Sequence, residues 1–281
     1  MIDWLTIALM LGAGLLHASW HAIIKSGQDR IALLAGMGTV AAAIAACALP
    51  FVSFPSQPVW LVIAASVVLH VGYKFALVKA YSLADLGQAF PLARGFVPLF
   101  ATVVAFALLG EWPAAPQLTG IAIVSAGILW LAYGVVRGGI DQRVFAAACV
   151  AGFTVAGYTA LDAYGTRLAQ DWASFTAWLI VADCGVFLIL AQLMSGRRLW
   201  AQLVQYRAPV FLSGLLGVAS FSVFLWALSR APVGVVSALR ESSVLFAASI
   251  GMLFLGESVT WSRIGGACLI TLGLVTIAAV R

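Results

Sequence analysis

Residues 110–127 read GEWPAAPQLTGIAIVSAG, and residues 256–273 read GESVTWSRIGGACLITLG. Gly110, Glu111, Gly120 and Gly127 of the first stretch recur as Gly256, Glu257, Gly266 and Gly273, 146 positions later. An arginine precedes each copy at the same distance, Arg94 and Arg240. Long apolar runs flank both copies, so the duplication reads as a repeat of membrane architecture rather than of a soluble site.

Composition supports that reading. Hydrophobic residues make up 63% of the chain and charged residues 9%, with a mean hydropathy of +1.08, which excludes an ordinary soluble domain. Crossing a hydrocarbon core of about 30 Å takes roughly 20 helical residues. Ten runs of that kind are present, at 3–24, 31–52, 57–80, 86–109, 115–136, 144–166, 172–195, 208–229, 234–255 and 260–280. Lipid offers no partner to a free backbone N–H or C=O, so uninterrupted apolar runs of this length are helices. The expected fold class is all-α integral membrane, with no loop long enough for a soluble domain.

The first run is not read as a cleaved leader, because Met1-Ile2-Asp3 carries no basic side chain and His17 and His21 interrupt its second half. Cys47, Cys149, Cys184 and Cys268 all fall within spans, where a free cysteine behaves as a small apolar residue. Their spacing gives neither a disulfide framework nor a metal site. The net charge of +5 comes from loop arginines and lysines and forms no nucleic-acid stripe. Loops after spans 1, 3, 5, 7 and 9 hold Lys25, Arg30, Lys79, Arg137, Arg143, Arg197, Arg198, Arg207 and Arg263, whereas the other side holds Arg167, Arg230 and Arg281. Nine against three puts the first set in the cytoplasm and both termini outside, in the periplasm of a bacterial cell.

Each Gly-Glu copy closes a unit of five spans. Because five is odd, residues 141–281 start from the opposite side of the membrane to residues 1–140 and run inverted. At an offset of 141, Gly14, His17, His21 and Ala22 fall on Val155, Tyr158, Asp162 and Ala163, so polar positions recur in spans 1 and 6. The expectation is ten transmembrane helices in two inverted five-helix repeats, a construction recurrent among secondary transporters.

The pattern Gly-Glu-x8-Gly-x6-Gly at the end of each half resembles the EamA-type branch of the drug/metabolite transporter superfamily, across essentially the whole chain. The particular resemblance is to aromatic amino-acid exporters of the YddG type. It implies a bacterial inner-membrane exporter in which spans 1, 3, 4, 6, 8 and 9 surround a central cavity and the other spans support them.

Cost arguments select the residues of such a cavity. An ionisable side chain at mid-membrane costs about 2.5–3.5 kcal/mol even on lenient scales, so it faces a bundle interior or water. Span 3 carries His70, Tyr73 and Lys74 at spacings that project from one helical face, and Lys74 lies too deep to snorkel. Span 1 offers His17, Trp20 and His21, and span 6 offers Tyr158 and Asp162 in the related places. In spans 4 and 9, Arg94 and Arg240 are suited either to a substrate carboxylate held bidentately or to structural pairing. Glu241 follows Arg240 and points about 100° away on a helix, so the two cannot both face the cavity centre. Trp226 of span 8 completes the aromatic set.

Other polar groups read as structural. Asp183 belongs to span 7, which the resemblance puts outside the central ring. Glu111 and Glu257 sit where a carboxylate satisfies free amides of the following helix, and the four later glycines of the signature permit close helix packing. Aromatic faces beside charges of both signs suit a zwitterion with an apolar body: an amino acid, aromatic ones especially, or another amphiphilic metabolite or drug. The expected partners are that small molecule and the bilayer, with no nucleic acid and with oligomeric state open, a monomer included. No cofactor, metal or enzymatic activity is expected. Neither a Walker loop, a Gly-x-Ser-x-Gly elbow nor His-Glu-x-x-His occurs. A channel-like facilitator is the alternative to a carrier working by alternating access.

Overall fold

A computed structural model describes residues 3–83, 94–136, 142–254 and 260–279. Among them there are twelve α-helices and no strands: α1 (Trp4–Ser26), α2 (Arg30–Ala48), α3 (Gln57–Leu83), α4 (Val97–Leu109), α5 (Ala115–Val136), α6 (Gln142–Leu168), α7 (Trp172–Ser195), α8 (Arg197–Gln205), α9 (Arg207–Leu228), α10 (Val233–Arg240), α11 (Ser242–Phe254) and α12 (Trp261–Ala279). Nine stretches among the described residues are long and apolar enough to cross a membrane, with Val233–Ile250 spanning the join of α10 and α11. The protein is a multi-pass membrane protein. Helix α4 is a shorter apolar helix, and most of the first half of its expected span, 86–93, lies outside the described residues.

Local chemistry sets the helix ends. Asp3, Asp29 and Asp171 cap α1, α2 and α7 by accepting from the backbone amides of Thr6, Ala32 and Ala173 at 2.6, 3.0 and 3.0 Å, satisfying donors that have no partner inside a helix. Pro50 lacks an N–H, and α2 tightens there into a 3-10 turn, Leu49–Phe51. Gly110 ends α4 with φ of 67°, a left-handed conformation that disfavours any side chain.

Span 9 is not one helix. At Glu241 the backbone (φ −70°, ψ −7°) leaves ideal α geometry, and two bonds close over three residues instead of four: Glu241 N–H donates to Ala238 O at 3.1 Å and Val244 N–H to Glu241 O at 2.9 Å. Helix α4 starts from a comparable turn at Phe96 (φ −91°, ψ −13°), two residues after Arg94.

The most extensive helix contacts run between the first 140 residues and the rest. Helix α5 packs on α12, α3 on α6, α1 on α9 and α11, and α2 on α7 and α9. The halves are thus interleaved, with each pair of helices burying apolar side chains that neither half could cover alone. The α5–α12 seam is built by the signature glycines. A Cβ at Gly120 would meet Gly273 O at 2.9 Å and one at Gly273 would meet Gly120 O at 2.7 Å; at Gly127 it would meet Ile270 N at 2.8 Å. The two backbones approach so closely that only hydrogen fits at these positions.

Short helix α8 was not legible as a span. Its Leu199 is buried while Trp200 and Val204 are exposed, and Gln202 Nε2 ties it to Asp29 Oδ2 at 2.7 Å. With Arg197 and Arg198 at its start it has the make-up of a helix lying along the membrane surface, at the basic end of the bundle. Exposed aromatic residues collect at both ends: Trp4, Phe51 (87% exposed), Phe54 and Trp112 at one, Trp130, Tyr133, Trp200 and Trp261 (87%) at the other. That distribution matches the two interfacial belts of a membrane protein.

Candidate functional site

A cavity of about 120 Å³ lies in the middle of the bundle and extends toward the basic end. Its wall includes His17 and Trp20 of α1, His70, Tyr73, Lys74 and Leu77 of α3, Tyr158 of α6, Gly217, Ser220 and Phe221 of α9, and Arg240 of α10. Helix α2 contributes Leu34, Met37, Gly38 and Ala41, and α7 contributes Ile180, Asp183 and Cys184. The ring expected from spans 1, 3, 4, 6, 8 and 9 therefore needs correcting, because spans 2 and 7 form wall as well.

The three residues of the α3 stripe share the cavity, each with a partner. His70 stacks on Tyr158 (centroids 3.9 Å, planes 22° apart) and meets Phe221 edge-on. Its Nε2 lies 3.0 Å from Asp162 Oδ2, and Ser66 donates its hydroxyl to the other oxygen of that carboxylate. Tyr73 packs against Tyr158 at 5.8 Å. Lys74 donates from Nζ to Asp183 Oδ2 at 2.7 Å and sits 4.9 Å from the Phe187 ring centre. The cost of a lysine at this depth is thus offset by a carboxylate from α7. Asp183, expected to be structural and outside the ring, is a wall residue. The cost of an intramembrane carboxylate was the signal for it.

The histidine and aspartate pairs divide. His17 lines the cavity, whereas His21, one turn on, lies outside the wall and is stacked on Trp20 at 3.7 Å. Tyr158 lines it, whereas Asp162 is fully buried behind His70 and Ser66. The expectation that both members of each pair face the central space is corrected for His21 and Asp162: shared helical faces are one turn long, and neighbouring side chains cover the second member. Trp226 is likewise outside the wall, packed on the apolar core with the Arg230 guanidinium 5.0 Å from its ring. Phe221, about one turn earlier on α9, supplies the aromatic surface instead.

The two arginines differ sharply. Arg94 is 2% exposed, with Nη1 3.3 Å from Glu241 Oε1 and Nη2 2.6 Å from His17 Nε2. A guanidinium only donates, so His17 Nε2 is the acceptor and the ring is held in its neutral tautomer. Arg240 lies over the Phe224 ring, 4.0 Å from its centre, and reaches the wall. The turn at Glu241 is what sends the adjacent carboxylate to Arg94 and the guanidinium to the cavity.

Away from the cavity, at the end where α1 begins, Arg167 joins the halves. It pairs with Glu111 (Nη1–Oε1 2.6 Å) and donates to Leu228 O and Ala231 O at the end of α9. Glu111 also accepts from Val233 N–H, at 3.4 Å. The carboxylate thus serves the start of α10 and not the following helix, whose first turn is served by Gln117 accepting from Ala114 N–H at 3.1 Å. Glu257 lies outside the described residues.

Residues 143–279 match the EamA-like transporter family. The EamA-like match takes in nearly all of α6 and every helix after it, and with them Tyr158, Asp183, Phe221 and Arg240. A solved crystal structure, described only as that of a protein, is 17% identical and superposes with a TM-score of 0.72 over 98% of this chain and 99% of its own. That likeness concerns the fold. No curated protein matches the sequence. Membrane-spanning helices, a mid-membrane cavity and an EamA-like second half agree with the drug/metabolite transporter fold.

Proposed function

We propose that the protein is a secondary transporter of the EamA-type drug/metabolite class, built from two inverted repeats, 1–140 and 141–281. It exports small amphiphilic metabolites, foremost amino acids with aromatic or neutral side chains, across a bacterial inner membrane. The single observation that carries the reading is the mid-membrane cavity, which joins aromatic faces (Trp20, Tyr73, Tyr158, Phe221) to charged groups of both signs (Lys74, Asp183, Arg240). An apolar body with a charged head fits such a wall.

Alternating access gives the rest of the geometry a role. The cavity of about 120 Å³ in the middle of the bundle gives a substrate a place between the two ends, which alternating access opens in turn. The Arg167–Glu111 pair, which ties α6 to the α4–α5 turn, closes the end away from the cavity. With the basic loops and α8 in the cytoplasm and both termini in the periplasm, the cavity extends toward the cytoplasmic side, where an exporter loads.

Counterflow tests this. Liposomes holding unlabelled amino acid should accumulate labelled amino acid saturably when the purified protein is present. Absence of exchange for every amino acid would remove the substrate reading, and non-saturable flux would favour a channel. Exchange unchanged in both His70→Ala and Lys74→Ala would remove the site.

A further inference from the structure

Among the described residues, the lysine, the arginines and His70 in and behind the cavity wall can be matched one to one with carboxylates, with a single remainder. Lys74 is answered by Asp183 at 2.7 Å, Arg94 by Glu241 at 3.3 Å, and His70 by Asp162 at 3.0 Å. Arg240 is left with a ring face, that of Phe224. It is 8% exposed, and its Nε and Nη1 are buried with no acceptor among the described residues. An arginine cannot escape this by losing its proton, because a guanidinium stays charged in proteins. A buried, permanently charged group without a carboxylate of its own is costly, and its place in the cavity wall lets an anion in the cavity answer that charge.

We propose that Arg240 is the docking point for an anionic head group, so that the site takes carboxylates, zwitterions among them, and refuses amines that carry no anion. The inference rests on the transport reading and narrows it. The planar guanidinium pairs with a carboxylate through parallel hydrogen bonds, and stacking on Phe224 holds its plane fixed before the ligand arrives. The adjacent wall of His17, Tyr158 and Phe221 then receives the apolar part of the ligand. Lys74 does not compete for the anion, because Asp183 already occupies its charge. Asp183 Oδ1 is a buried acceptor in the wall without a hydrogen bond, but it belongs to a carboxylate whose charge Lys74 already answers, so an amine that brings no anion is held less well than a carboxylate. Glu241, next in sequence, does not cancel Arg240, because the turn directs its carboxylate to Arg94.

The test uses the full-length protein purified in nanodiscs and three ligands with one ring: phenylalanine, 3-phenylpropanoate, which lacks the amine, and 2-phenylethylamine, which lacks the carboxylate. A second set consists of small carboxylates and phosphates without a ring. Ligand-induced stabilisation should appear for the two carboxylates and not for the amine. Arg240→Gln should weaken carboxylate binding at least about tenfold, as expected when one partner of a buried charge pair is removed, and Arg240→Lys, which keeps charge without the fork, should recover part of it. Equal binding of the amine and the acid, or unchanged carboxylate affinity in Arg240→Gln, overturns the proposal. Should Arg240→Gln not fold, Arg240→Lys decides by the same affinity measurement. Binding confined to the ringless anions, and dependent on Arg240, upholds the anion site while removing aromatic amino acids as substrates. Binding of no anion in either set removes the anion site and leaves counterflow to judge transport.

Discussion

Arg94 and Arg240 stand 146 residues apart at equivalent places before the two copies of one signature, yet the fold uses them in opposite ways. Arg94 is enclosed by Glu241 and His17 and contributes to holding the halves together. Arg240 keeps its charge at the cavity wall without a carboxylate. The difference lies in the next residue: Gly95 offers no side chain after Arg94, whereas Glu241 follows Arg240 and crosses to the other half. One acidic side chain at a helix break thus turns a symmetric pair into a structural arginine and an available one. The α5–α12 seam is the counter-example, since Gly120 and Gly273 meet each other's carbonyl oxygens at 2.9 and 2.7 Å and remain alike.

Removing the asymmetry should have the largest effect. Glu241→Ala strips Arg94 of its carboxylate and should cost about 3–5 kcal/mol, the range for a broken buried ion pair, read as a lowered melting temperature in detergent. Unchanged melting would mean that Arg94 is held by other groups. Lys74→Met leaves Asp183 buried without its cation and should cost about 2–3 kcal/mol, with Lys74→Met/Asp183→Leu recovering most of it because both charges are then gone. If the double variant is no better than the single, the pair is not coupled. At the symmetric seam, Gly120→Ala and Gly273→Ala should each destabilise by about 1–3 kcal/mol through overpacking. A large difference between them would show the seam to be less symmetric than its contacts. The smallest effect is expected at Trp226, where Trp226→Phe should leave counterflow at the wild-type rate; a lost rate would return that residue to the site.

The helices were legible because long apolar runs at membrane length admit one backbone solution, and the glycine seam because small residues at one helical face have few other uses in a bilayer. Lys74, His70 and Tyr73 were legible from cost and helical spacing. Asp183 was missed although the same cost argument applied, since the resemblance assigned its span a supporting place. Contacts between distant residues were beyond reach: nothing around Glu111 announces Arg167 or Val233, and nothing around Glu241 announces Arg94. The break in span 9 carries neither proline nor glycine at Arg240-Glu241-Ser242-Ser243, so hydropathy reads through it. Helix α8 was too short and too polar to register as a span, and its surface placement comes from Leu199 and Gln202 meeting the bundle. His21, Asp162 and Trp226 show the limit of face arguments, because whether a polar face is open depends on what covers it.

The most direct test measures melting and amino-acid counterflow together for Arg94→Gln and Arg240→Gln in one membrane system. Arg94→Gln should lose stability by about 3–5 kcal/mol, whereas Arg240→Gln should stay folded near the wild-type melting temperature and lose counterflow at least about tenfold. Counterflow at the wild-type rate in Arg240→Gln would contradict the account.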